Sequence, residues 1–281
     1  MAEIVALPTR GFLRIAGGDA EAFLQGLITV DAKKATAERA LYGAMLTPQG
    51  KFLFEFFLLR EEGGFLLDTP KARLADFATR LTLYKLRSKV EIKDVSAEFR
   101  AYASYGNHAH AADLPNEAGS MMKHRGGLAY ADPRHAGLGV RFALPEKEAV
   151  EETGTLAEYH ALRITLGVPD GEVDLIPDKS FPMQCNFDDI HGVDFHKGCF
   201  VGQEVTARTK HRGGVSRRLV PVRFEGIAPE IGTPVKAGEV TVGEVRSASG
   251  EVALASFRIE DLEKARDAVM VAGGVKLGVL S

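Results

Sequence analysis

The chain has 281 residues, of which 45% are hydrophobic and 26% charged, which suits two or three domains and excludes disorder as its main state. Its 35 basic and 38 acidic side chains leave a formal net charge of −3. This balance gives no support to a general affinity for nucleic acid or for an anionic membrane.

Targeting and membrane patterns are weak in this sequence. Residues 1–8 have neither the basic stretch nor the long apolar stretch of a secretory signal. The longest apolar run, 52–59, contains Glu55 and is too short to cross a bilayer. The two cysteines, Cys185 and Cys199, are too few for a disulfide framework and suit a reducing compartment. We therefore expect a cytoplasmic protein with no membrane partner.

The first half of the chain alternates helical and strand patterns. Helices are predicted over 20–29 and, most clearly, over 71–86, where apolar residues recur on one face. Turn residues Pro48-Gln49-Gly50 separate two strand patterns, and the second is apolar on both faces, as in a central strand. The predicted strands are 41–47, 51–60, 89–95 and 99–105.

The second half changes character twice. A loop is predicted over 106–127, two short strands over 128–130 and 139–142, and a helix over 155–166. The weakly periodic segment 169–195 is long for a loop, and such loops are usually functional. After residue 214, short strands alternate with Gly and Pro, which indicates a small all-β barrel. The predicted barrel strands are 219–224, 233–235, 241–245, 251–257 and 275–280.

The most informative run is 197–208, with the sequence KGCFVGQEVTAR. Gly198 and Gly202 allow a tight backbone turn around Cys199, and a helix is predicted to begin just after it. A helix N-terminus and the neighbouring Lys197 both favour a thiolate, which is the nucleophilic and metal-binding form. The alternative is a buried, inert cysteine in a glycine-rich bend.

This run resembles the Lys-Gly-Cys-aromatic-x-Gly-Gln-Glu-x-x-small-Arg motif of the YgfZ family at every fixed position. Further similarity extends over most of the chain, although Val30 stands where that family commonly has Asn. The supporting matches are 23–31, Gln49-Gly50-Lys51, 84–90, Asp132-Pro133-Arg134, Arg163-Ile164, Gly167-Val168-Pro169 and Arg217-Arg218-Leu219. The YgfZ family is in turn similar to the T-protein of glycine cleavage.

The resemblance implies an α+β fold of three lobes around a central folate pocket, with a C-terminal β-barrel. The lobes are expected at 1–97 with 150–200, at 98–149 and at 201–281. It also implies tetrahydrofolate or a derivative as the ligand and no stably bound metal. The implied partners are iron–sulfur cluster assembly proteins and 4Fe–4S client enzymes, including tRNA-modifying radical enzymes, with no direct contact to nucleic acid.

The same resemblance makes Cys199 the functional thiol and a transient cluster ligand. Glu55 is the second candidate, because a carboxylate inside an apolar strand needs a partner or a proton, and the T-protein places acidic residues there against the folate. The alternative for Glu55 is a strand position that faces solvent. The residues expected to bind folate are Glu55, Gln25, Lys85, Arg87, Lys197, Gln203, Glu204 and Arg208.

Two further patterns have plainer alternatives. The basic residues over 208–212 and 217–218 are either an anion-binding surface or a solvated helix end. Cys185, Cys199 and two histidines lie in one predicted loop, but their spacing fits no zinc module.

The alternative function is a tetrahydrofolate-dependent aminomethyl transferase like the T-protein. That protein has Arg-Leu-Glu-Ala-Gly where this chain has 163–167, so Thr165 replaces the glutamate that holds the pterin. This replacement and the cysteine motif favour an accessory protein, which is not itself a transferase. A thiol enzyme is a third interpretation, with His196 as the nearest base in sequence.

Overall fold

The structure, a computed structural model, describes residues 2–106, 114, 115, 117–148, 150–212, 214–265 and 268–280. Its strands and helices alternate in the first two thirds, and strands dominate the last third. The strands are β1 Glu3–Ala6, β2 Arg10–Ala16, β3 Leu41–Leu46, β4 Phe52–Glu61, β5 Gly64–Pro70, β6 Glu91–Asp94, β7 Phe99–Tyr105, β8 Met121–His124, β9 Gly127–Ala131, β10 Val140–Pro145, β11 Arg217–Phe224, β12 Pro234–Ala237, β13 Val240–Ser249, β14 Val252–Arg258, β15 Met270–Ala272 and β16 Val275–Val279. The helices are α1 Ala20–Gln25, α2 Leu74–Lys85, α3 Leu156–Thr165, α4 Gln203–Arg212 and α5 Ile259–Lys264.

The first antiparallel sheet has the order β3-β4-β5-β2-β6. Its strand β4 is apolar on both faces because each face is covered. On one side Phe54 stacks on Phe77 of α2 with ring centroids 4.7 Å apart. On the other side Phe57 contacts Tyr130 of β9 with centroids 5.7 Å apart. The sequence-based expectation of a central strand is therefore confirmed.

The second antiparallel sheet has the order β1-β7-β10-β9-β8. The first strand of the chain pairs with β7, although the expected boundary had placed all of 1–97 in the first lobe. Val5 of β1 is buried in the core that both sheets share, which favours this crossing. The expected loop over 106–127 contains strand β8, and residues 107–113 and 116 of it lie outside the described residues.

The C-terminal strands close into a barrel in the order β11-β14-β13-β12-β15-β16. Alternate side chains, such as Val222, Val245 and Phe257, fill its interior. Helix α3 packs against β13 and β14 and begins with a capping box between Thr155 and Glu158. The barrel expectation is confirmed, while β15 and α5 were not anticipated by the sequence pattern.

The long segment after α3 follows β4 before it reaches the cysteine motif. The amide of Phe52 donates to the carbonyl of Ser180 at 2.8 Å, and the amide of Asp178 donates to the carbonyl of Phe52 at 2.9 Å. A short 3₁₀ turn over Pro182–Cys185 follows. In the described part of the chain, no helix has the length and apolarity needed to cross a bilayer.

Candidate functional site

Cys199 is exposed on an irregular loop that ends where α4 begins. The loop is held by Lys197, whose ammonium donates to three backbone carbonyls at the end of α1 and just beyond it. The Nζ–O distances are 2.8 Å to Gln25, 2.6 Å to Ile28 and 2.7 Å to Val30. These bonds use all three hydrogens of the ammonium, so Lys197 anchors the loop rather than leaving its hydrogens for a ligand.

The residues after the thiol fasten the other end of the loop. Val201 packs into the core beneath the first sheet, and its amide donates to the carbonyl of Gly26 at 3.1 Å. Phe200 packs against the core on the other face of that sheet. The Oε1 of Gln203 accepts the amide of Phe200 at 3.1 Å. Both ends of the loop are therefore fixed, and Cys199 projects between them.

Two glycines join the motif to the β3–β4 hairpin. Gly202 has φ +84°, and a Cβ there would lie 2.5 Å from the carbonyl oxygen of Thr47. Gly50 has φ +76°, and its Cβ would lie 2.9 Å from that of Val205. Gly198, in contrast, is exposed with open space around it. The packing therefore requires glycine at position 202 and leaves room for a side chain at position 198.

Other predicted ligand residues near this loop already have partners. The Oε1 of Gln25 accepts the amide of Ala32 at 2.8 Å. Glu204 and Arg208 pair with each other on α4, with Nη2 and Oε1 2.6 Å apart. Arg218 pairs with Asp188, which neutralises part of the basic cluster.

Lys85 and Arg87 lie elsewhere, at the end of α2. Lys85 is half-buried, whereas Arg87 is exposed. Their side chains make no hydrogen bond or salt bridge with the part of the chain that the structure describes. Nothing in the geometry brings them to Glu55, so the structure does not assemble the predicted folate residues into one site.

Glu55 lies on the face of β4 that is turned toward the second sheet, and its side chain is only 2% exposed. Its Oε1 accepts a hydrogen bond from Arg10. Burial raises the pKa of Glu55 above its ordinary value of 4.5, against the opposing effect of Arg10. The solvent-facing alternative is therefore wrong.

The second oxygen of Glu55 is buried close to a second polar group, the hydroxyl of Tyr42. Among the described residues, neither Glu55 Oε2 nor the hydroxyl of Tyr42 has a hydrogen-bond partner. Burial, followed by the charge of Glu55, raises the pKa of Tyr42 well above its ordinary value. Gly171 packs directly against the Glu55 side chain, since a Cβ there would lie 2.1 Å from Glu55 Cγ. The ring of a ligand such as the expected folate can reach Glu55 only if the segment at Gly171 moves.

An ion-pair network continues from Arg10 between the two sheets. Arg10 also pairs with Asp68, which accepts from Tyr130 at 2.7 Å and from Arg141 at 3.0 Å. Burial alone would raise the pKa of Asp68, but Arg10 and Arg141 lower it below 3.8. Arg141 also donates to the hydroxyl of Tyr159 on α3 at 3.1 Å. The network therefore links both sheets to α3.

The sequence pattern does not reveal this network, because its members are far apart in the chain. Glu55, as a carboxylate in an apolar strand, and Asp132-Pro133-Arg134, as part of the resemblance, are the members that the sequence indicates. Asp132 and Arg134 form a buried pair with Nη2 and Oδ2 2.7 Å apart, and Arg134 lies 4.9 Å from the ring centroid of Phe57. An arginine on an otherwise apolar strand, such as Arg141 on β10, was the available signal.

Cys185 differs from Cys199 in its access to solvent. It is buried in the 3₁₀ turn, and burial raises the pKa of its thiol to about 12. It lines a small cleft of about 230 Å³ beside the barrel, with Arg217 and Arg246. Within the described ranges, no group of three or more His, Cys, Asp or Glu side chains is arranged to hold a metal ion.

Thr165 does not supply the paired acceptor that the T-protein glutamate would supply. Its hydroxyl donates to the carbonyl of Ala161 one turn earlier in α3, at 2.8 Å, and its side chain is exposed. The position therefore offers no carboxylate of the kind that the transferase alternative expects there.

The fold is that of a solved aminomethyltransferase. The crystal structure of glycine cleavage system aminomethyltransferase T from Bartonella henselae aligns over 100% of this chain and 85% of its own, with a TM-score of 0.77 and 18% identity. The family model for the C-terminal β-barrel domain of CAF17 matches residues 217–280. The expected T-protein-like arrangement with a C-terminal barrel is therefore confirmed.

Curated relatives match across most of the sequence. Iron–sulfur cluster assembly factor IBA57, mitochondrial, of Homo sapiens is 35% identical, over 92% of this chain and 78% of its own length. The homolog of Mycosarcoma maydis is 32% identical over 79% of this chain, and that of Neurospora crassa is 32% identical over 82%. The chain spans 57% and 56% of the length of these two fungal relatives. At this identity and coverage, the chain belongs to the IBA57 family of iron–sulfur cluster assembly factors.

Proposed function

We propose that this chain acts in the assembly or maintenance of 4Fe–4S clusters and that Cys199 is its working thiol. The observation that carries the proposal is the exposed Cys199 on a loop anchored at both ends. A thiol that binds a cluster must be accessible, and a fixed loop presents it in one geometry. The names of the human and fungal relatives support the same role.

One thiol is not enough to hold a cluster. Protein-bound 4Fe–4S clusters usually take four thiolate ligands, whereas Cys185 is buried and the described residues contain no further metal-binding group. The cluster is therefore a substrate that this protein passes on, and its remaining ligands come from another protein. This requirement fits assembly proteins and client enzymes as partners.

The test is complementation of cells that lack the protein, with wild type, Cys199→Ser and Cys185→Ser expressed at equal levels. Activities of a 4Fe–4S dehydratase, a tRNA-modifying radical enzyme and a metal-free enzyme are measured together. We expect Cys199→Ser alone to lose both cluster activities while the metal-free enzyme is unaffected. Normal cluster activities with Cys199→Ser would remove the thiol from the proposal.

A reduced folate is the second part of the proposal, with the buried polar atoms of Glu55 and Tyr42 as its site. The support is chemical: Glu55 Oε2 and the Tyr42 hydroxyl are buried polar atoms without described partners, and such atoms normally bind a ligand or water. The contact with Gly171 requires the Gly171 segment to move first. Because Thr165 bonds to its own helix, we propose binding without aminomethyl transfer.

Calorimetry with tetrahydrofolate tests this part, with Glu55→Gln as the variant and exposed Glu225→Gln as the control. Loss of a hydrogen bond to a charged group costs about 1.5–3 kcal/mol, which corresponds to roughly a 10- to 150-fold weaker affinity. An assay for methylenetetrahydrofolate should find no catalytic formation. Absence of folate binding would remove the pocket, and catalytic turnover would favour the transferase.

The compartment remains the sequence-based proposal, the cytoplasm. The human and fungal relatives, in contrast, carry the word mitochondrial in their names. Fractionation of cells that express the chain at its native level distinguishes the two.

A further inference from the structure

The turn that follows α2 holds a leucine in a conformation that suits glycine. The amide of Ser88 donates to the carbonyl of Lys85 at 2.8 Å, which closes a four-residue turn. Leu86 is its second residue, with φ 45° and ψ −110°, close to the values of a type II′ turn. That position strongly favours glycine, because a side chain there is strained. A leucine in this place is therefore unexplained by local folding.

The same leucine is also unusually exposed. The relative exposure is 88% for Leu86 and 67% for Leu83, which precedes it by one helical turn. Leucine side chains that stay in water gain no burial free energy on folding. The backbone strain at Leu86 in addition lowers the stability of the folded state. Two independent costs therefore meet at Leu86, which favours a role outside the folded chain itself.

Basic residues flank the two leucines along the chain. Arg80, Arg87 and Lys89 are all exposed. None of the three forms a salt bridge with a described residue. We call Arg80, Leu83, Leu86, Arg87 and Lys89 the leucine tip.

The leucine tip and the Cys199 loop are fixed to opposite ends of α1. At the N-terminal end, the amide of Lys89 donates to Asp19 Oδ2 at 2.7 Å. At the C-terminal end, the Cys199 loop bonds to Gln25 and Gly26. The six residues of α1 span about 9 Å at 1.5 Å per residue. One protein surface of ordinary size can therefore cover both features.

We propose that the leucine tip is the docking surface for the protein that shares a cluster with Cys199. This inference rests on the proposed function. The recognised partner surface is an apolar pocket bordered by carboxylates, because the tip presents apolar side chains next to exposed cations that form no salt bridge with described residues. A partner docked at the tip needs to extend only along α1 to bring its cluster ligands toward the thiol.

The experiment measures binding of the full chain to individual purified proteins: the cluster assembly proteins of the same cell and an apo 4Fe–4S dehydratase. Leu86→Gly and Arg87→Glu are compared with Ile227→Ser and Lys236→Glu, which change an 85% exposed apolar residue and an exposed lysine of the barrel. At least one protein should bind wild type, and both tip variants should weaken it about tenfold or more. Higher salt should weaken wild-type binding and affect Arg87→Glu less.

Leu86→Gly separates docking from folding. Because glycine suits the turn, this variant should melt at the wild-type temperature or higher while its binding falls. Equal binding by tip and barrel variants, or no binding by any protein, would overturn the proposal. Tip-dependent binding to vesicles rich in anionic lipid, without protein binding, would also overturn it. The role of Cys199 is judged separately, by the cluster activities in cells that carry Cys199→Ser.

Discussion

Gly50 and Gly202 meet where the β3–β4 hairpin contacts the cysteine motif. A Cβ on Gly202 would lie 3.1 Å from the Cα of Gly50, and a Cβ on Gly50 would lie 3.1 Å from the carbonyl oxygen of Gly202. The two motifs that were recognised separately in the sequence thus form one contact. This contact sets the position at which α4 begins, and with it the loop that carries Cys199.

Gly202→Ala should damage the protein, whereas Gly198→Ala should be tolerated. The first adds a Cβ at φ +84° against the carbonyl oxygen of Thr47, at a cost of at least about 1–3 kcal/mol from backbone strain. The second adds a methyl group to open space. Urea unfolding of both variants and complementation of cluster activity measure the contrast. Similar effects of the two substitutions would contradict the proposed packing.

Lys197→Met should loosen the Cys199 loop without removing the thiol. Three carbonyls at and after the end of α1 lose their shared donor. Hydrogen bonds to a charged group are worth about 1.5–3 kcal/mol each. Part of this loss is offset, because the variant no longer buries a charged ammonium. We expect a lower free energy of unfolding and faster hydrogen exchange at the amide of Val201. Lys33→Met, at an exposed lysine nearby, is the matched control. Unchanged exchange would show that Lys197 does not anchor the loop.

Iodoacetamide should modify one cysteine in the native protein and two after unfolding. Cys199 is exposed, whereas burial raises the pKa of Cys185 to about 12 and shields it from the reagent. Mass spectrometry of tryptic peptides identifies the modified position. Native labelling of Cys185 at a rate similar to that of Cys199 would mean that the 3₁₀ turn opens readily.

Asp68→Asn and Glu55→Gln should change stability with opposite dependence on pH. Because the pKa of Asp68 is lowered in the folded state, its stabilising contribution is present above about pH 3.8 and is lost as pH falls through the folded value. Because the pKa of Glu55 is raised, its contribution is present below about pH 4.5 and is lost as pH rises through the folded value.

The loss of unfolding free energy in Asp68→Asn, relative to wild type, should therefore grow as pH rises from acid to neutral. It should approach the value of about 3–5 kcal/mol that is typical of a broken buried ion pair. The loss of unfolding free energy in Glu55→Gln, relative to wild type, should shrink as pH rises from acid to neutral. Denaturant unfolding at several pH values gives both curves. Parallel curves would show that the two carboxyl groups, which share Arg10, titrate alike in the folded protein.

The sequence alone was sufficient for features that depend on neighbouring residues. The apolar face of α2, the burial of β4 on both sides and most barrel strands follow from local periodicity and turn chemistry. The cysteine motif was likewise recognised from contiguous residues. The helix predicted over 20–29 ends at Gln25, because the following backbone turns to meet Lys197 and the hairpin.

Contacts between distant residues were decided only by the tertiary structure. The pairs of Arg10 with Glu55 and of Asp68 with Arg141 join positions 45 and 73 residues apart, and the three carbonyls bound by Lys197 are 167–172 residues away from it. A local pattern specifies which face of an element is apolar, but not which element will cover it. For that reason the sequence indicated Cys199, Lys197 and Glu55 as candidate functional residues. Only the fold shows that Cys199 is an exposed thiol, that Lys197 anchors its loop and that Glu55 is buried between the two sheets.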